Sequence, residues 1–129
     1  SAESGEGERG RVMPPVIAVD FDHTLTMDSG DPYRKGDEVP NEEMIEYVKH
    51  LKEDRHCAIV VWTARPWSHA AHVAGLLTMW GVPHNGLKME KGGAEAYIDD
   101  KAVNHTLSES FYGEVDQLIE DYERENALV

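Results

Sequence analysis

Residues 16–26 read VIAVDFDHTLT. An apolar run, Val16 to Val19, ends in two aspartates, Asp20 and Asp22, with only Phe21 between them. A short apolar run of this kind suits a strand buried in a sheet. Carboxylates at the end of such a strand are costly unless something offsets their charge. Side chains at i and i+2 of a regular strand share a face. A turn beginning at Phe21 would instead aim both acids at one pocket. The chain therefore needs a fold that gathers strand ends, and a counter-charge waiting there.

The remaining sequence alternates strands and helices. Residues 27–39 (MDSGDPYRKGDEV) are rich in Gly, Pro and Asp and read as a loop with room for a small hairpin. Pro40 and Asn41 then open a helix, with Asn41 as N-cap and Glu42 and Glu43 in the first turn. Met44, Ile45, Val48 and Leu51 give that helix an apolar face. Cys57–Trp62 (CAIVVW) reads as an interior strand, followed by Thr63 and Ala64. Pro66 falls in the first turn of a second helix that runs to about Trp80, and Gly81 stops it. A short strand is expected around Gly86 to Met89, and another from Ala96 to Ile98, ending in Asp99 and Asp100. A final helix from Ser108 to about Glu125 carries Phe111, Val115, Leu118, Ile119 and Tyr122 on one face. Such alternation implies parallel pairing with right-handed crossovers. The expected fold is α/β: a three-layer α/β/α sandwich around a small parallel sheet.

Length and composition bound the rest. A chain of 129 residues fits one domain, expected over residues 13–129 behind a flexible polar tail at 1–12. Hydrophobic residues at 40% and charged residues at 29% are globular values, and no apolar run approaches the ~20 residues of a membrane span. The polar N-terminus reads as carrying no signal peptide. Cys57 is the single cysteine, which rules out an intrachain disulfide and suits a cytoplasmic location. A net charge of −13 works against binding long nucleic acids through their phosphates. It suits either a protein kept soluble at high salt or an ordinary acidic one.

In open α/β sheets, ligands bind beyond the carboxyl ends of the strands. Here Asp20 and Asp22 end one strand, Thr63 ends another, and Asp99 and Asp100 end a third. Lys88 and Lys91 lie shortly before the last. Four carboxylates this close cannot all stay ionised without large pKa shifts. A divalent cation resolves the conflict, and an all-oxygen site prefers Mg2+, with water and a substrate phosphate completing its shell.

The order DFDHT at 20–24, VVWTAR at 60–65, a lysine, then YIDD at 97–100 resembles the haloacid dehalogenase-like (HAD) superfamily. The resemblance spans about residues 16–104. It implies a Rossmann-like core and a phosphatase. Asp20 would be the nucleophile that becomes an aspartyl phosphate, and Asp22 the acid and then the base. Thr63 would bond a phosphoryl oxygen, and a lysine would offset charge there. Asp20, the backbone carbonyl of Asp22, and Asp99 would hold Mg2+, with Asp100 acting directly or through water. Lys91 lies eight residues before Asp99, the spacing of many small relatives, and is favoured over Lys88. The residue after the second Asp is often Gly, and here it is His23. Between Thr24 and Thr63 lie 38 residues, and between Thr63 and Lys91 lie 27; neither gap holds a cap domain. An uncapped site is open to a small phosphorylated molecule or to an exposed phosphate on a macromolecule, or is covered by a neighbouring subunit in a homo-oligomer. Tyr33, Arg34 and Lys35 form the local patch expected to touch substrate.

Other readings stand beside this one. A phosphotransferase of the same fold and a silent HAD-like binding domain share the motifs. A receiver-type phosphoacceptor would need a lone aspartate ending the middle strand, which CAIVVW lacks. Arg65 suits a substrate clamp or a pairing with a surface acid, the latter being favoured. His69 and His72, at i and i+3 on the second helix, are expected to be solvated or half-buried rather than to form a second metal site, and Trp62, Trp67 and Trp80 to pack rather than to form a stacking platform. Asn104 suits either a plain loop role or support of the metal shell. Cys57 is expected in the core.

Overall fold

The computed structural model describes residues 13–27, 38–92, 100–106 and 110–126. They fall in two compact units, one formed by 16–96 and the other by 1–15 with 97–129. The first unit holds strand β1 (Val16–Asp20), helix α1 (Glu42–Glu53), strand β2 (Ala58–Trp62), helix α2 (Ala70–Met79) and strand β3 (Gly86–Lys88). The second holds helix α3 (Phe111–Asn126). No helix among the described residues is long and apolar enough to cross a membrane.

The three strands form one parallel sheet in the order β1-β2-β3. Val16 pairs with Ala58, and Asp20 with Trp62. Val60 pairs with Gly86, and Trp62 with Lys88. Parallel register brings the carboxyl ends of β1, β2 and β3 to one edge, so Asp20, Thr63 and the residues after Lys88 become neighbours. β1 is less buried than its composition predicts. Val16 is 63% exposed, and only Val19 of the run is in the core. Among the described residues β1 pairs on one side only, with β2. The expected strand at Ala96 to Ile98 lies outside the described residues.

α1 follows its sequence closely. The Asn41 side chain accepts from the Met44 amide at 3.2 Å. Met44, Ile45, Val48 and Leu51 are all buried. The same Asn41 donates through Nδ2 to the Thr24 carbonyl at 3.1 Å, and its amide donates to the Leu25 carbonyl at 2.8 Å. One residue thus caps the helix and ties it to the segment that follows the two aspartates. Thr26 and Pro40, on either side of the stretch between them, form an antiparallel bridge, with the Met27 amide on the Val39 carbonyl at 2.7 Å.

α2 starts later than Pro66 suggests. Pro66 is extended (φ −71°, ψ 163°), Trp67–His69 wind as a tight 3-10 turn, and the α-helix begins at Ala70. Its end is a Schellman cap: the Gly81 amide bonds the Thr78 carbonyl at 3.1 Å and the Val82 amide bonds the Leu77 carbonyl at 2.9 Å. Gly81 sits at φ +70°. A Cβ there would meet only the Lys49 ammonium, at 4.0 Å. Space is therefore ample, and the cost of a side chain comes from the left-handed backbone alone. α3, expected from Ser108, is described from Phe111, and Ile119 is its buried residue. In its unit the Tyr122 hydroxyl donates to the Met13 carbonyl at 2.6 Å. Gly81→Ala is expected to lower stability by about 1 kcal/mol without changing the far-ultraviolet spectrum, read from urea denaturation midpoints.

Candidate active site

The segment after β1 does turn at Phe21, and the two aspartates part company there. Residues Phe21–Leu25 form a single wide turn, closed by the Thr26 amide on the Phe21 carbonyl at 3.1 Å. Within it Asp22 is extended and His23 is left-handed at φ +63°. A left-handed residue at this position is the physical reason a glycine would suit it. The His23 amide is held by the Thr26 hydroxyl at 2.9 Å. Phe21 is fully buried and stacks on Trp80, ring centroids 6.1 Å apart and nearly parallel.

Asp20 stays near the edge of the sheet, its side chain 39% exposed. Its Oδ1 accepts from the Phe21 amide at 3.1 Å and lies 3.4 Å from Lys91 Nζ. Burial pushes its pKa above the ordinary aspartate value; Lys91 and the Phe21 amide pull it down, and the charge of Asp22 adds to the rise. Lys91 is delivered to this position by backbone bonds that continue the sheet. The Thr63 amide bonds the Lys88 carbonyl at 3.0 Å, and the Lys91 amide bonds the Thr63 carbonyl at 2.9 Å. The Lys91 ammonium also lies 4.7 Å from the centre of the Trp62 ring. Lys88 is exposed on β3. Of the two candidate lysines, Lys91 is the one beside Asp20.

Asp22 turns inward. Its Oδ1 takes Arg65 Nη2 at 2.8 Å and Nε at 3.2 Å. Its Oδ2 takes the same Nε at 3.1 Å and the Thr63 hydroxyl at 3.2 Å. Thr63 is fully buried, and its hydroxyl oxygen accepts the Arg65 amide at 3.1 Å. The expectation that Arg65 pairs with a surface acid is corrected. Its side chain is wholly buried and pairs with two acids that are themselves buried, Asp22 and Glu38. Arg65 Nη1 reaches Glu38 Oε2 at 2.9 Å, and its guanidinium carbon lies 5.3 Å from the centre of the Phe21 ring. Burial works against the Arg65 charge, and the bonds to Asp22 and Glu38 more than offset it, so its pKa is raised. A guanidinium suits such a place because it is weakly hydrated and presents a fork of donors. No sequence signal separated this arginine from a surface one; the two carboxylates it joins are 16 residues apart in the chain.

His72 completes the cluster, with Nε2 3.0 Å from Glu38 Oε2, and His69 Nδ1 lies 3.3 Å from Arg65 Nη1. Both imidazoles are half-buried, and they meet Glu38 and Arg65 rather than each other. Trp62 and Trp80 are partly covered, but Trp67 is 63% exposed, so the packing role expected of it is corrected. Its place on the short turn before α2 leaves the indole in solvent. Asn104 makes local bonds to the Thr106 amide and hydroxyl. Cys57 is buried as expected.

Asp20 fits an oxygen-seeking cation: it is half-exposed, only one of its oxygens is engaged among the described residues, and a nearby dication would offset the cost its burial imposes. The Asp22 carboxylate is committed to Arg65 and Thr63, which leaves its backbone carbonyl as the available donor. Asp99 lies outside the described residues, as do Tyr33, Arg34 and Lys35. Asp100 is exposed in the second unit. Among the described residues no group of three or more His, Cys, Asp and Glu is gathered for a metal.

No protein-family model and no curated protein matches the chain. A crystal structure of a structural-genomics target from Vibrio cholerae is similar, with a TM-score of 0.63 and 24% identity over 84% of this chain and 98% of that one. The likeness bears on the fold alone, and the fold it supports is mixed α/β with a small parallel sheet.

Two outcomes follow from these environments. Asp20 has a raised pKa, so folding disfavours its ionised form. That cost is absent below the ordinary aspartate value of 3.8 and appears as pH rises through the raised value. Asp20→Asn is expected to be more stable than wild type at pH 7 in EDTA, with the gap closing below pH 3.8, by denaturant titration at each pH. Arg65→Met removes the cation that the buried Asp22 and Glu38 share and is expected to cost about 3–5 kcal/mol in the same assay.

Proposed function

We propose that the chain is a Mg2+-dependent phosphohydrolase of the HAD-like type, with a three-layer α/β/α core and no cap, acting through an aspartyl phosphate on Asp20. The observation that carries this reading is the Asp20–Lys91 pair, 3.4 Å apart at the carboxyl edge of the parallel sheet. Asp20 is the one acid of the DxD pair whose carboxylate faces outward. Its free oxygen attacks phosphorus as the bond to the leaving oxygen breaks. Lys91 offsets the charge that otherwise repels a carboxylate from an anionic phosphate. Water then attacks the aspartyl phosphate and regenerates Asp20. Asp20 and the backbone carbonyl of Asp22 would hold Mg2+, which would supply neutralisation of the phosphoryl oxygens when bound. Thr63 acts here by holding Asp22 and by bonding, through its carbonyl, the backbone that carries Lys91.

The engagement of both Asp22 oxygens favours a second reading, a HAD-like domain that binds phosphate compounds without turnover. Hydrolysis of p-nitrophenyl phosphate with Mg2+, in low and in molar salt, separates the two. Under the first reading wild type turns over, EDTA stops it, Asp20→Asn is inactive, and Lys91→Met loses about 10²–10³-fold in kcat. Silence from a folded wild type that binds Mg2+ supports the second.

A further inference from the structure

The backbone around Lys91 is fixed. Its amide bonds the Thr63 carbonyl at 2.9 Å, and the Glu90 amide bonds the Arg65 carbonyl at 3.0 Å. A long flexible stem still separates that anchor from the ammonium, so side-chain contacts decide where the charge rests. The ammonium meets an Asp20 oxygen at 3.4 Å and the face of Trp62, 4.7 Å from the ring centre. Register puts the indole there. Asp20 and Trp62 are partners in the parallel pair of β1 and β2, so their side chains share one face of the sheet. Along β2 burial alternates: Ile59 and Val61 are in the core, while Ala58, Val60 and Trp62 are partly covered. Thr63 continues the buried side, where its hydroxyl reaches Asp22. Consecutive residues thus serve the two acids, Thr63 the inner one directly and Trp62 the outer one through Lys91.

Resting on the phosphohydrolase reading, we infer that Trp62 is a positioning residue, whose indole face holds the Lys91 ammonium at the reacting edge throughout the cycle. The ion pair alone does not suffice for this. Once Asp20 has become an aspartyl phosphate it is no longer a carboxylate, and its attraction for the lysine is gone. The indole does not take part in the reaction. Its ring quadrupole attracts a cation without cancelling the charge, so the ammonium stays available to a phosphoryl oxygen. A carboxylate in the same place would neutralise the charge that the transferred group needs. The stem of Lys91 is also kept out of water, its side chain being only 10% exposed, which strengthens a contact of this kind.

The test is hydrolysis of p-nitrophenyl phosphate with Mg2+ by the full chain as wild type, Trp62→Leu and Trp62→Phe, each with and without Lys91→Met, together with NMR of the lysine ε-methylene protons. Trp62→Leu is expected to lower kcat about 3- to 30-fold, the range a cation–π contact spans, and Trp62→Phe to recover most of that loss. In the Lys91→Met background Trp62→Leu is expected to change kcat by less than about 2-fold, because the group it positions is gone. The wild-type Lys91 signal, assigned by its disappearance in Lys91→Met, is expected upfield of the other lysine signals through the ring current of the indole, and to rejoin them in Trp62→Leu. Should Trp62→Leu fail to fold, the wild-type signal and Trp62→Phe carry the test. An equal loss of kcat in both backgrounds overturns the inference, as does a wild-type Lys91 signal that lies among the other lysines; wild-type turnover then leaves the phosphohydrolase standing. A shifted Lys91 signal in a wild type that does not turn over overturns the phosphohydrolase reading, and the role inferred for Trp62 with it.

Discussion

The buried fork between Arg65 and Asp22 is the interaction on which the first unit is organised. A lone guanidinium or a lone carboxylate at this depth would be strongly unfavourable. Together, with Glu38 and Thr63, they satisfy one another in the space beneath the carboxyl edge of the sheet. The fork joins the turn after β1 to the segment after β2, and Glu38 brings in the residues just before α1. The half-buried His72 then connects Glu38 to α2. Four separate parts of the chain are held by a group of charges, above the apolar contact of Phe21 with Trp80.

This arrangement also explains why two aspartates at i and i+2 coexist. They are not held alike. The wide turn at 21–25 sends Asp22 into the interior and leaves Asp20 near solvent, each with its own cation: Arg65 for the inner acid, Lys91 for the outer. The left-handed His23 is part of that divergence, since it reverses the chain immediately after Asp22. Repulsion between the pair persists as one of the influences that raise the pKa of Asp20. A carboxylate that is partly desolvated, flanked by a lysine and open on one oxygen is suited to meet an electrophile or a cation. One whose oxygens are filled is suited to hold structure.

Much of this was legible in the residues. The apolar face of α1, the Asn41 cap and the stop at Gly81 each depend on interactions within a few residues, so local pattern sufficed. The family resemblance, through the spacing of its lysine, favoured Lys91, which is the lysine that meets Asp20. The misreadings have a common cause. Trp67 looks like core by its chemistry, Pro66 like the first turn of a helix, and Arg65 like a surface cation. Each is decided by neighbours distant in sequence, or by how a short turn presents its side chains. Val16 was misjudged for the same reason: its exposure depends on which strands lie beside it, which its own apolar character does not encode.

The sequence by itself determined the order of elements, the parallel sheet and the gathering of Asp20, Thr63 and Lys91 at one edge. Apolar periodicity sets which segments become strands and helices, and parallel pairing then leaves their carboxyl ends together. Only the tertiary structure decided that Asp22 and Thr63 belong to the interior and Asp20 to the surface. That division rests on a guanidinium 43 residues away from Asp22, and on a backbone turn whose direction no spacing of aspartates specifies. Burial and ion pairing are properties of three-dimensional neighbours, and they assign different work to two identical side chains.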